Sequence, residues 1–355
     1  MGKRNITAYL PNPGRLTELL FPGTKLLLVE NHSGKIGHTV VAAERDGKAV
    51  MLHTHHTNRV ARLLLEQNKV PGLQGYCIVR PEVTYGRSRF DFLLQKGNTQ
   101  FVLEVKSCTL FNREIAMFPD AVTERGRRHL MELAELKRQG MRAGVLFIVH
   151  WPFVRYFMPE YHTDLAFSRT LLALRKEIFV RAVAVTWKQD LTLGRRVREL
   201  DIPWPLIEKE AVDLGNYLLI LHLKKSENIR VGGLGTIFFH AGYYLYVGSA
   251  MNGLTQRIER HKRRRKKLFW HIDYLRDKAE FVAALPVRTS EQLECEMAGA
   301  LNKISSWNVL AFGSSDCSCE THLFGMKDDP LKSQEFVSLL LRFRIDRLAP
   351  KFQKN

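Results

Sequence analysis

Between Ser88 and Thr109 the chain runs as two apolar segments joined by a polar turn, and each segment carries ionisable residues. Ser88-Arg89-Phe90-Asp91-Phe92-Leu93-Leu94 reads as a strand with Asp91 among apolar neighbours, and Phe101-Val102-Leu103-Glu104-Val105-Lys106 reads as a second, with Lys96-Gly97-Asn98 between them. Side chains alternate between the two faces of a strand, so Glu104 and Lys106 share a face. A hairpin of the two strands sets Asp91 beside Glu104. Adjacent carboxylates repel each other unless a cation joins them, and a hard divalent ion such as Mg²⁺ or Mn²⁺ suits oxygen ligands. A lysine two residues on orients or activates a water and offsets phosphate charge. That set performs metal-assisted phosphodiester hydrolysis. The alternative for the bare spacing is a carboxylate–lysine pair on a strand edge.

Composition narrows the classes. At roughly 100–200 residues per domain, 355 residues suggest two domains or three. A hydrophobic content of 45% fits globular domains with a real core. No apolar run approaches the roughly 18 residues of a membrane span. Met1–Leu10 has basic residues with no apolar stretch behind them, which argues against a secretory signal. The five cysteines make no disulfide framework, and their odd number predicts a reducing, cytoplasmic setting. The net charge of +18 points to a polyanion, nucleic acid ahead of an acidic membrane surface. A membrane surface would call for a basic amphipathic helix with a wide apolar face, which is not found. Residues 1–206 hold 31 basic and 19 acidic residues. In the remainder the excess sits in one run, Arg257–Lys267, with eight basic residues and one acid, followed by Leu268-Phe269-Trp270. A basic run beside aromatic rings suits phosphate contact with base stacking. A merely solvated face is the alternative.

The pass along the chain gives an α/β (α+β) pattern. Residues 1–50 read as short strands and turns, with turn signals at Pro11-Asn12-Pro13-Gly14 and a strand at Lys25–Glu30. Strands are predicted at 76–84, 90–94, 100–109, 143–149, 178–187, 215–224 and 242–249. Helices are predicted at 58–68, 124–139, 165–176, 253–267, 291–304 and 334–348. The Pro-rich stretch 202–205 marks a junction near Leu206. Cys77 and Cys108 read as buried small hydrophobes. The expected organisation is a partial β segment at 1–50, a domain at 51–206, a second domain at 207–330 and a helical tail at 331–355.

Glu82–Leu94, Leu103–Leu110, Ala116–Leu130, Gly140–Phe147 and Pro11–Leu16 together closely resemble the sugar fermentation stimulation protein A family, over roughly residues 7–205. The resemblance implies DNA binding, an OB-like N-terminal domain and a PD-(D/E)xK-like nuclease domain. It gives Asp91, Glu104 and Lys106 the metal and water roles, with Asp91 and Glu104 as ligands and Glu82 as a further carboxylate. Asp120, Glu124, Arg125 and His129 would line the same cleft. Arg87, Arg89, Arg127 and Arg128 would meet nucleic acid with Arg125 and His129. Family members begin with additional strands, so the OB unit is expected to be truncated here, and the usual Pro-Asn-Thr-Gly reads Pro-Asn-Pro-Gly.

The second half shows Gly215-Asn216-Tyr217, Gly242-Tyr243-Tyr244-Leu245-Tyr246-Val247-Gly248, Arg257…His261 and a later helix with Glu294-Cys295-Glu296. Over about 213–325 this resembles the GIY-YIG nuclease superfamily, most closely a GIY-YIG-like domain of unknown function marked by Trp270–Leu275 and Phe312–Cys319. The resemblance implies that Tyr217 and Tyr246 bond the attacking water, Arg257 stabilises phosphate charge and Glu294 holds Mg²⁺, with Glu296 as the alternative. Arg260, His261, Lys262, Arg263, Arg264, Arg265, Lys266 and Lys267 are the expected phosphate contacts. For the tyrosines the alternative is ordinary strand packing. Cys317-Ser318-Cys319 with His322, and Cys295 as a fourth ligand, form a candidate Zn²⁺ set; packed thiols with a capping histidine are the alternative.

The reading is a two-module nucleic-acid protein that hydrolyses DNA or RNA phosphodiesters with Mg²⁺. The competing reading is a non-catalytic DNA-binding regulator of sugar metabolism genes.

Overall fold

The computed structural model describes residues 5–32 and 35–352. The outermost residues of the expected segments 1–50 and 331–355 therefore lie outside the described residues. The chain forms two compact units that divide after Ile207, with Tyr161–Leu165 joining the second.

The first unit opens with an antiparallel sheet of β1 (Leu26–Glu30), β2 (His38–Arg45) and β3 (Lys48–Met51), followed by α1 (His55–Glu66). Its main sheet holds β4 (Cys77–Tyr85), β5 (Ser88–Lys96), β6 (Thr99–Cys108), β9 (Arg142–Val149), β11 (Phe179–Trp187) and β12 (Leu193–Glu199), in the order β12-β11-β9-β6-β5-β4. β5 and β6 pair antiparallel in the expected hairpin, whereas β9 runs parallel to both β6 and β11. A parallel return needs a crossover, supplied by α2 (Glu124–Arg138). Thr123 starts that helix by accepting from Gly126 N. The continuous apolar run of β9 is buried because apolar clusters cover both faces of the sheet centre. A small sheet of β7 (Leu110–Asn112), β8 (Ile115–Phe118) and β10 (Tyr156–Pro159) sits after the hairpin, and α3 (Leu165–Leu174) precedes β11. Cys108 is buried as expected, but Cys77 is exposed, because β4 is an edge strand. α4 (Trp204–Glu210) occupies the stretch read as a Pro-rich junction.

The second unit is built on a five-stranded antiparallel sheet of β13 (Gly215–Leu223), β16 (Gly242–Ala250), β17 (Glu280–Arg288), β18 (Trp307–Asn308) and β19 (Leu323–Met326), in the order β17-β13-β16-β19-β18. Between the two tyrosine strands lies a hairpin of β14 (Glu227–Arg230) and β15 (Thr236–Phe239), joined by the glycine-rich turn Val231-Gly232-Gly233-Leu234-Gly235. Four helices complete the unit: α5 (Leu254–Lys262), α6 (His271–Lys278), α7 (Glu294–Asn302) and α8 (Gln334–Arg344).

Two expectations change. The helix predicted to reach Lys267 ends at Lys262, where Arg263 turns extended with ψ of 130°. A helix through this run would stack like charges three and four residues apart. The turn instead lets Lys266 Nζ reach back to the carbonyls of Arg260 (3.2 Å) and His261 (3.4 Å). The helix at 334–344 is no tail: Phe336 and Phe343 are buried, and the Arg344 guanidinium bonds Pro286 O at 2.9 Å.

Candidate functional site

One candidate site lies where β5 and β6 part. The last paired rung is Phe92 opposite Leu103, and the next position holds Asp91 and Glu104. Asp91 Oδ2 accepts from Val105 N at 2.7 Å, and Oδ1 accepts from Asn58 Nδ2, on α1, at 2.6 Å. Glu104 is buried, and its Oε1 accepts from Lys106 Nζ at 2.5 Å and from His129 at 2.7 Å. Arg125 Nε donates to His129 Nε2 at 3.3 Å. That nitrogen is then an acceptor, which places the ring proton on Nδ1, pointing at Glu104. Glu104 Oε2 is buried and has no hydrogen-bond partner.

Electrostatics separate the two carboxylates. Burial, reinforced by the negative charge of Glu104, pushes Asp91 up to about 6. Burial also opposes ionisation of Glu104, but the His129 hydrogen bond and the Lys106 charge outweigh it and hold Glu104 below the ordinary range. A buried, unpartnered oxygen beside a second carboxylate is a donor set that a hard divalent cation fits.

The other residues expected here are placed differently. Glu82 is exposed on the edge strand and faces Arg89 at 3.6 Å. Asp120 serves the N-terminal segment: its carboxylate accepts from Leu16 N at 3.4 Å and lies so close to Gly14 that a Cβ there would sit 2.2 Å from Oδ2. Burial raises its pKa, partly offset by backbone hydrogen bonds from the 15–16 turn. This explains the Pro-Asn-Pro-Gly turn, whose Asn12 accepts from Gly14 N and donates to Leu52 O. Glu124 is exposed in the first turn of α2, where a carboxylate complements the helix dipole. Arg87, Arg89, Arg125, Arg127 and Arg128 are exposed, whereas His129, expected among the nucleic-acid contacts, is buried against Glu104. Sequence reasoning missed Asn58; its signal was only a polar residue at the start of an amphipathic helix.

A second candidate site lies in the second unit. A cavity of about 280 Å³ is lined by Tyr217, Tyr246, Arg257, Trp270, Glu294 and Asp316, with the exposed ring of Phe269 at its mouth. β13 and β16 pair antiparallel, and the two tyrosine rings stand 6.4 Å apart. Gly248 makes room for this: a Cβ there would lie 2.5 Å from the Tyr217 ring. Burial pushes both phenols well above their ordinary range, so both stay protonated. Tyr217 Oη lies 3.0 Å from His261 Nε2. Burial lowers the His261 pKa, against the pull of Asp273, whose Oδ1 lies 3.7 Å from His261 Nδ1. Tyr217 Oη and His261 Nε2 thus share a hydrogen bond, while His261 Nδ1 has no hydrogen-bond partner. Glu294 bonds Ser249 Oγ through one oxygen and His322 Nδ1 at 3.1 Å through the other. Glu296 is exposed and pairs with Arg342 at 3.0 Å.

Asp273 is the residue that sequence reasoning missed. Fully buried, it accepts from Phe269 N (3.0 Å) and Trp270 N (3.2 Å), capping α6, and pairs with Arg260 (2.9 Å) and Lys266 (2.7 Å). Burial opposes its ionisation, but these partners hold it far below the carboxylate range. The basic run therefore splits. His261 is buried, Lys266 is half-buried with its Nζ on Asp273, and Arg260 is half-buried on Asp273 with its guanidinium 4.2 Å from the Trp270 ring centre. Lys262, Arg263, Arg264, Arg265 and Lys267 are exposed. The Trp270-His271-Ile272-Asp273 signature was legible, but nothing in it told a buried anchor from a surface acid. Cys295, Cys317, Cys319 and His322 converge, with their ligand atoms within 4.8 Å of one another. Among the described residues, no helix is long and apolar enough to cross a membrane.

Known proteins match both units. Residues 2–52 match the SfsA N-terminal OB domain, 55–191 the sugar fermentation stimulation protein RE domain, and 216–344 a domain of unknown function, DUF123. A sugar fermentation stimulation protein homolog of Methanothermobacter thermautotrophicus is 37% identical over 209 residues, covering 58% of this chain and 86% of that protein. The homolog of Chloroflexus aurantiacus is 41% identical over 202 residues, covering 56% of this chain and 78% of its own. The structure of Pyrococcus furiosus SfsA in complex with Ca²⁺ superposes with a TM-score of 0.53 at 30% identity, covering 56% of this chain and 87% of that one.

Proposed function

The chain belongs to the sugar fermentation stimulation protein family, and from that premise we propose that it is a divalent-metal-dependent nuclease acting on DNA or RNA. The observation that carries this reading is Glu104 Oε2, a buried carboxylate oxygen with no partner, set beside Asp91. A buried polar oxygen left without a hydrogen bond is costly, and a cation held by both carboxylates offsets the cost. The relative whose structure is described with Ca²⁺ supports a hard, oxygen-seeking ion of this class.

Asp91 and Glu104 would hold Mg²⁺ or Mn²⁺, which supplies Lewis-acid stabilisation of phosphate charge. His129 and Lys106 keep Glu104 ionised and oriented. Asn58 and Val105 N do the same for Asp91. Lys106, half-buried at the rim, orients a water and offsets charge on the phosphate. The water oxygen bonds to phosphorus and gives up a proton to solvent, a P–O bond of the backbone breaks, and the departing oxygen takes a proton from solvent.

In the second unit, the domain is GIY-YIG-like and its residues support the same reaction class. Tyr217 accepts a proton from water while passing its own to His261, and Arg257 offsets the charge on phosphorus. Glu294 would hold the cation. The exposed cations of 262–267 and the exposed Phe269 suit a phosphate backbone with an unpaired base.

The test is cleavage of plasmid, single-stranded DNA and RNA with Mg²⁺ or Mn²⁺, by the native chain and by Glu104→Ala and Arg257→Ala. Loss in one variant assigns the reaction to that site. Binding without cleavage of any substrate favours a DNA-binding regulator instead.

A further inference from the structure

We propose that Cys295, Cys317, Cys319 and His322 form a tetrahedral Zn²⁺ site that staples α7 to the irregular segment 311–322 and orients Glu294 through the far nitrogen of His322. The nuclease reading is not needed for the zinc site itself.

The four residues come from separate places: Cys295 from the first turn of α7, Cys317 and Cys319 from the irregular segment, and His322 from the position before β19. Their ligand atoms nevertheless all lie within 4.8 Å of one another. Zinc bonds of roughly 2.3 Å to sulfur and 2.0–2.1 Å to nitrogen give tetrahedral ligand–ligand edges of about 3.6–3.8 Å. Cys317 Sγ already stands 3.4 Å from His322 Nε2. Closing the longest separation takes a movement of about 1 Å, within reach of a thiol rotamer change.

Three thiols and an imidazole are a soft donor set, which selects zinc over magnesium. The mutual closeness of all four atoms favours a single ion, because a two-iron cluster would hold its ligand pairs further apart.

The histidine geometry is specific. Nε2 faces the thiols, whereas Nδ1 lies 3.1 Å from Glu294 Oε1. Metal-bound histidines characteristically donate their other N–H to a carboxylate, which fixes ring and carboxylate together. The segment carrying Cys317 and Cys319 has no regular secondary structure, and its backbone is tied by Ala311 N to Glu320 O and His322 N to Phe312 O. An ion clipping it to α7 would fix the loop that carries Gly313, Ser315 and Asp316 into the second cavity.

Zinc content is measured on the full chain after loading with Zn²⁺ and removal of free metal. The expected result is one zinc ion per chain. Replacing zinc by Co²⁺ is expected to give thiolate charge-transfer bands and the visible bands of a tetrahedral ion. Cys317→Ser is expected to lower zinc affinity by more than the roughly 10–100-fold that an outer-shell change costs. The native-chain measurements stand even if that variant does not fold. Nitrogen-15 spectra of the histidine rings read the link to Glu294: zinc is expected to lock His322 with a slowly exchanging Nδ1–H, and chelation to release it. A native chain that retains no zinc, or holds iron and sulfide instead, overturns the site. Retained zinc with an unchanged His322 signal on chelation overturns its binding through His322 and thus the link to Glu294.

Discussion

His129 Nδ1 donates to Glu104 Oε1 at 2.7 Å, with Arg125 Nε on the opposite ring nitrogen at 3.3 Å. An exposed cation thus fixes the tautomer of a buried histidine, which in turn supports a buried carboxylate. Removing the histidine leaves the buried Glu104 short of a donor. His129→Ala is expected to cost about 1–3 kcal/mol, and Arg125→Ala less, as an exposed group. Urea unfolding of both variants measures the difference.

The Asp91–Glu104 pair makes stability depend on pH and on metal. Asp91 has a native pKa of about 6, above its unfolded value of 3.8, so it binds its proton more tightly when folded. Its stabilising contribution is full below about pH 4 and is lost as pH rises through 6, a decline of up to about 3 kcal/mol. Glu18, buried and raised to about 8, adds a loss of the same sign that extends further. A cation on Asp91 and Glu104 offsets only the first. Thermal unfolding with and without Mg²⁺ is expected to differ little at pH 4 and clearly at pH 7.5, and Asp91→Asn is expected to remove the share of that difference that belongs to the first unit.

Gly248 lies under the Tyr217 ring, where a Cβ would sit 2.5 Å from its tip. Gly248→Ala is expected to displace the phenol from His261 and to destabilise the second unit by about 1–3 kcal/mol, as overpacking does. Differential hydrogen exchange locates the effect, which is expected on β13 and α5 and not in the first unit.

The basic run contains two kinds of residue, and substitution separates them. Lys266→Ala removes a cation partner of the buried Asp273 and is expected to lower stability. Arg263→Ala and Arg265→Ala are expected to leave stability unchanged, to weaken nucleic-acid binding, and each to reduce the slope of log affinity against log salt by about 1.

Much of this was readable in the sequence, for identifiable reasons. Two apolar segments joined by the polar turn Lys96-Gly97-Asn98 made the hairpin readable, and the two-residue spacing put Glu104 and Lys106 on one face. The tyrosine strands and the helix with Arg257 and His261 were equally regular. Burial was what the pattern left open. His129, by family resemblance, and His261 and Lys266, in the basic run, read as nucleic-acid contacts, yet each has a buried carboxylate beside it that is distant in sequence or across a turn. Asp120 lies between apolar and helical motifs and serves a turn about a hundred residues away. Such tertiary pairings leave no local periodicity. The convergence of Cys295 with Cys317 and Cys319 was the exception, since the residue types alone named the set.

The most direct measurement of the central claim is the Mg²⁺-dependent cleavage rate of the native chain, Glu104→Ala, Arg257→Ala and the double variant, at protein concentrations that saturate binding. The expected result is metal-dependent cleavage by the native chain, lost in at least one single variant or in the double variant, with binding retained. Saturated binding by the native chain with no cleavage of DNA or RNA, or cleavage that persists undiminished in the double variant, would contradict the account.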